Sequence, residues 1–179
     1  MASDSTLLGA AGEHHVMTEL LRRRYIAALA PQGVPNADIL ATDLEGGRLC
    51  SIQVKTRRDI GADGGWHMNA KHERIRADLL FYCFVDFGKA PTDRPAVHVL
   101  PSARVADALH ASHRKWLATL GKKGQPHKDG PMRRFMPDYE RVFGSTENPY
   151  PKGWLDPYRD AWHLLGLDPS PVEGGSEEI

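Results

Sequence analysis

The sequence predicts an α/β fold, a mixed central sheet flanked by helices, and three observations carry that expectation. The opening segment repeats its apolar residues at helical spacing, a stretch in the first third reads as a β-hairpin, and a later run is apolar almost without interruption. At 179 residues, with 41% hydrophobic and 26% charged, the chain has the size and composition of one globular domain with a sizeable core. Formal net charge is zero, so no global basic field points to nucleic acid. The charge is uneven, however: seven Lys/Arg between Arg114 and Arg134 face one acid, Asp129, and the tail from Asp168 carries four acids and no base.

The first element is a helix. Val16, Met17, Leu20 and Leu21 recur at helical spacing between a Ser5/Thr6 start signal and Pro31, which predicts a helix over residues 7 to about 30. Glu13 lies on the same stripe, where a carboxylate is costly unless something pairs with it. It either reaches solvent at the edge of the stripe or points at a polar partner. Arg22, Arg23 and Arg24 read as a solvated, dipole-compatible helix end.

Next comes the hairpin. Ile39, Leu44, Leu49, Ile52 and Val54 mark two strand-like runs around Glu45-Gly46-Gly47, whose glycines tolerate positive φ. A two-residue loop at Gly46-Gly47 sets Asp38 opposite Lys55, and one at Glu45-Gly46 sets it opposite Gln53. Strand side chains alternate, so both registers put Asp38, Gln53 and Lys55 on one face and Ile52 and Val54 on the other.

Residues 61–65 read as a loop and Trp66 to Asn69 as a short edge strand. The apolar run over 77–87 reads as a strand buried on both faces, and Val97 to Leu100 as another strand. Pro101-Ser102 then opens a helix through Val105, Leu109, Trp116 and Leu117. Residues 1–120 are expected to form the domain proper. Residues 121–179, a basic loop over 121–137, a short helix over 158–167 and an acidic end disordered from 174, are expected to pack on it. Cys50 and Cys83 fall inside strand-like runs and read as buried thiols. The nine histidines show no zinc-site spacing; they read as surface or packing residues, with His67 nearest the polar cluster. The chain shows no signal pattern and no apolar run near the ~20 residues of a membrane span, so the expectation is a cytoplasmic protein without a membrane partner.

Three stretches together resemble the PD-(D/E)XK nuclease superfamily, the restriction-endonuclease-like fold. They are Gly9-Ala10-Ala11-Gly12-Glu13 before an apolar helix, Asn36-Ala37-Asp38, and Gln53-Val54-Lys55. The form is similar to small stand-alone bacterial members and, more loosely, to archaeal Holliday-junction resolvases, and it covers residues 7 to about 105. Two positions depart from the pattern: the proline stands at Pro35 rather than directly before Asp38, and Gln53 stands where an acid is usual.

The resemblance implies an αβββαβ core with a loop-rich C-terminal extension, and a Mg2+-dependent endonuclease acting on DNA, with Mn2+ as a substitute ion. Asp38 would be the main metal ligand, joined by the Gln53 oxygen, the Val54 carbonyl and Glu13, and Lys55 would position the water or stabilise the transition state. Arg57, Arg58, Lys122, Lys123, Lys128, Arg133 and Arg134 would contact phosphates. A homodimer or a partner carrying specificity would be compatible with so little basic surface. Three alternatives stand beside this reading: a structural ion pair of Glu13 or Asp38 with Lys55, a catalytically silent protein of this fold that binds nucleic acid or a partner, and an oligomeric structural protein.

Overall fold

The computed structural model describes residues 4–60, 64–121 and 123–167. The chain opens with α1 (Asp4–Arg22), whose buried residues Gly12, Val16 and Leu20 recur every four positions and form its core-facing stripe. The helix stops eight residues short of the expected end. Arg24 turns to φ 64°, Tyr25 N–H donates to Leu20 O and Arg24 N–H to Leu21 O, the two bonds of a Schellman cap. The cap lacks the usual glycine, so its sequence signal was missing. The chain then enters β1 (Ile26–Leu29), an edge strand whose exposed residues show no alternation.

β1 pairs antiparallel with β2 (Ile39–Thr42), and β2 with β3 (Leu49–Arg57). After β4 (Trp66–Asn69) and a 3-10 turn (Ala70–Glu73), β5 (Leu80–Asp86) runs parallel to β3, and β6 (Ala96–Pro101) antiparallel to β5. The central sheet is therefore mixed, in the order β1-β2-β3-β5-β6. The connection between the two parallel strands holds β4 and the 3-10 turn where an αβββαβ order places an α-helix. α2 (Ser102–Leu117) instead follows the last central strand. Within residues 121–137, expected as loop, β7 (Met132–Phe135) pairs with β4 as a second, two-stranded sheet. α3 (Glu140–Phe143) follows. The helix expected over 158–167 is two 3-10 turns, Asp156–Tyr158 and Trp162–Leu165. The expectation for residues 174–179 lies outside the described residues.

The sheet separates two cores, and β5 contributes to both. Phe81, Cys83 and Val85 face α1 with Val16, Leu20, Ile39, Ile52, Val54 and Trp162. Tyr82 and Phe84 face α2 with Trp66, Leu100, Val105, Leu109, Phe135 and Tyr139. Cys50 and Cys83 are free and buried; burial pushes the Cys50 thiol up to about 11. Among the described residues no helix is long and apolar enough to cross a membrane.

Candidate active site

The register of the hairpin decides where the polar residues meet. Ile39 lies level with Ile52, so one residue earlier Asp38 lies level with Gln53, the second of the two registers that the sequence allows. Residues 43–48 make the turn, in which Asp43 carboxylate oxygens accept from Gly47 N–H (2.7 Å) and Arg48 N–H (3.0 Å). Asp38 is pinned by its own backbone, its N–H donating to Ile52 O (2.8 Å) and its carbonyl accepting from Ala30 N–H (2.8 Å). Its side-chain Oδ2 accepts from Val54 N–H at 2.7 Å and from Gln53 Nε2. Oδ1 makes no hydrogen bond among the described residues.

Glu13 arrives from α1 because that helix sits directly on β3. A Cβ built on Gly12 would lie 1.9 Å from Thr56 Oγ1, so the helix backbone rests directly on the Thr56 side chain of the strand. Gly12 precedes Glu13 and Thr56 follows Lys55, so this contact brings the two charged residues to one place. Burial, then the neighbouring Asp38 charge, raises the Glu13 carboxyl above the usual range, against the lowering influence of His14 and Lys55. Burial lowers the Lys55 amine, opposed by Asp38 and Glu13 and reinforced by Lys71. Lys55 nonetheless forms no ion pair within 4.0 Å among the described residues, so the salt-bridge alternative is not what the geometry presents.

Glu13, Asp38, Gln53, Val54 and Lys55 line one open cleft of about 610 Å³, whose far wall holds Arg57, Arg58 and His67. The donors are all oxygens (two carboxylates, an amide and a backbone carbonyl), which is the chemistry a hard divalent cation takes. Among the described residues no group of three or more His, Cys, Asp or Glu is placed to share an ion. A small ion held here by so few protein ligands keeps several waters, as magnesium does.

The cations expected at phosphates divide. Arg57 donates from Nε (2.9 Å) and Nη2 (2.6 Å) to Asp86 and lies 4.3 Å over the Trp66 ring, so it braces the cleft wall and is not available to a phosphate. Arg133 is 6% exposed, pairs with Glu73 and donates to the Gly130 carbonyl at 2.5 Å; it is likewise a structural group. Strand alternation separates it from Arg134, which stands level with His67 on the opposite face of the β4–β7 sheet. Among the described residues the one carboxylate that Arg58 approaches is Asp4, at 4.0 Å. Lys123 and Lys128 are exposed on the loop before β7, and Lys122 lies outside the described residues.

Sequence reasoning missed the wall behind Gln53. In the parallel register Tyr82 stands beside Gln53 and Phe84 beside Lys55. Tyr82 Oη is 2.7 Å from Nδ1 of His72, which is 4% exposed. Burial, followed by the Lys55 and Lys71 charges, holds His72 down at about 4. Tyr82 sits inside the apolar run, where its hydroxyl is the only clue, and no spacing rule links it to a histidine ten residues earlier.

Among solved structures, the bacterial homing endonuclease I-Ssp6803I aligns with a TM-score of 0.52 and 16% identity, over 92% of each chain. The Holliday junction resolvase Hjc of the archaeal hyperthermophile Archaeoglobus fulgidus aligns at 0.40 and 15%, over 72% of this chain and 83% of its own, too loosely to add to the argument. No protein-family model and no curated protein matches the sequence.

Proposed function

From the restriction-endonuclease-like fold that this chain has, we propose that it is a metal-dependent endonuclease hydrolysing phosphodiester bonds in DNA. The observation that supports this most is the convergence of Glu13, Asp38, Gln53 and Lys55, from three separate elements, on one open cleft. A structural ion pair needs two such groups, and among the described residues the amine has no ion-pair partner.

Bound at these oxygens, a divalent ion such as Mg2+, or Mn2+ in its place, lowers the pKa of a water and neutralises charge on the phosphate. Asp38 would hold it through Oδ1, and the Gln53 oxygen, the Val54 carbonyl and Glu13 would complete the protein's share. Asp38 is already oriented by two hydrogen bonds, so little side-chain freedom is lost on binding. Lys55, half-buried and without an ion-pair partner, is placed to donate to the phosphate oxygens as negative charge builds in the transition state. Arg58, Arg134, Lys123 and Lys128 would meet flanking phosphates.

A second reading, a silent protein of this fold that binds nucleic acid, draws on one specific feature: the Gln53 amide already satisfies one Asp38 oxygen without a cation. Relaxation of supercoiled plasmid separates the two. The nuclease reading expects nicking in Mg2+ or Mn2+ that EDTA abolishes and that Lys55→Ala and Asp38→Ala each reduce at least a hundredfold with the fold intact by circular dichroism. Salt-sensitive binding without nicking would favour the silent reading.

A further inference from the structure

A second cleft, of about 500 Å³, lies on the other side of the two carboxylates. It shares Ser5, Gly9, Glu13 and Asp38 with the first, so the two openings meet over a short stretch of α1. Gly9 is the odd residue in that stretch. Glycine inside a helix is destabilising relative to alanine, and packing gives no reason for it here, because a Cβ built on Gly9 meets nothing within 4 Å among the described residues. Gly12, one turn later, is required by Thr56, whereas Gly9 keeps open space open.

We propose that Gly9 is the saddle over which a polynucleotide strand crosses from one cleft to the other, with the scissile phosphate at Glu13 and Asp38 between them. The proposal rests on the nuclease reading and deepens it by giving the substrate strand a path, with one flank of the cut in each cleft. The two arms differ in chemistry. The first carries Arg58 and His67, groups suited to phosphate. The second is walled by Pro31, Gln32, Gly33 and Val34 and, among the described residues, has no charged group besides the two shared carboxylates, so it meets sugars and bases.

The test compares nicking of circular DNA with hydrolysis of bis(p-nitrophenyl) phosphate, a diester too small to reach either arm, in Mn2+ for the wild type, Gly9→Ala and Gly9→Leu, alongside thermal melts. The expected result is that Gly9→Leu lowers the ratio of DNA nicking to small-diester hydrolysis at least tenfold. Gly9→Ala, which should melt higher than the wild type, lowers the ratio less, by about twofold. A wild-type ratio in Gly9→Leu overturns the saddle, and so does an equal loss of both activities in a variant that still melts cooperatively. A wild type inactive on both substrates overturns the nuclease reading itself, and the saddle with it.

Discussion

Gln53 donates to the same Asp38 oxygen that Val54 N–H holds, at a position only 7% exposed. A glutamate there would set a second carboxylate against the first, and the pair would need a proton or a cation between them. Gln53→Glu is therefore expected to destabilise the metal-free protein by about 1–3 kcal/mol, the cost of an unsatisfied buried polar group. In differential scanning calorimetry it should melt below the wild type in EDTA and gain more than the wild type from Mn2+, because an ion that binds only the folded state stabilises it. Equal gains in both proteins would mean that position 53 does not face the ion. The position could be read from the sequence but its partner could not, since two registers were open and only the six-residue turn at 43–48 selects between them.

At the scale of elements, the site depends on how closely α1 lies on β3. Alanine is the better helix former by about 1 kcal/mol, yet at Gly12 its Cβ would overlap Thr56, and overpacking of this kind typically costs about 1–3 kcal/mol. Gly12→Ala should thus lower the melting temperature and move Glu13 off the cleft. Adding Thr56→Ala, which removes the overlapping hydroxyl, should restore part of both stability and activity; a double mutant no better than the single would show that the contact is not the cause. The strands of the hairpin, the doubly buried β5 and the start of α2 were legible because alternation and apolar runs are local signals. β1 and β7 were not. β1 is an exposed edge after a cap closed by Arg24 in place of glycine, and β7 is held by long-range pairing with β4 inside a basic stretch that reads as loop. The same pairing explains why Arg133 and Arg134, neighbours in sequence, end on opposite faces.

For the molecule as a whole, the wall behind the site links acid stability to the cleft. His72 is held at about 4 in the folded protein, below its ordinary 6.5, so it is neutral when folded and protonates more readily when unfolded. A depressed group of this kind contributes stability that is complete above pH 6.5 and is lost as pH falls through about 4. His72→Gln should flatten the fall in melting temperature between pH 6.5 and 4 while lowering the plateau at pH 7.5, where the bond to Tyr82 is lost; an unchanged acid slope would place the titration elsewhere, His98 being the other histidine shifted down among the described residues. The central claim, that Glu13, Asp38, Gln53 and Lys55 are a metal-holding phosphodiesterase site, is met most directly by anomalous diffraction from crystals soaked in Mn2+. The account predicts one manganese peak bonded to Asp38 Oδ1, with the Gln53 oxygen turned toward it and Lys55 still unpaired. A cleft without a peak, with Gln53 Nε2 still donating to Asp38 at millimolar Mn2+, would contradict it.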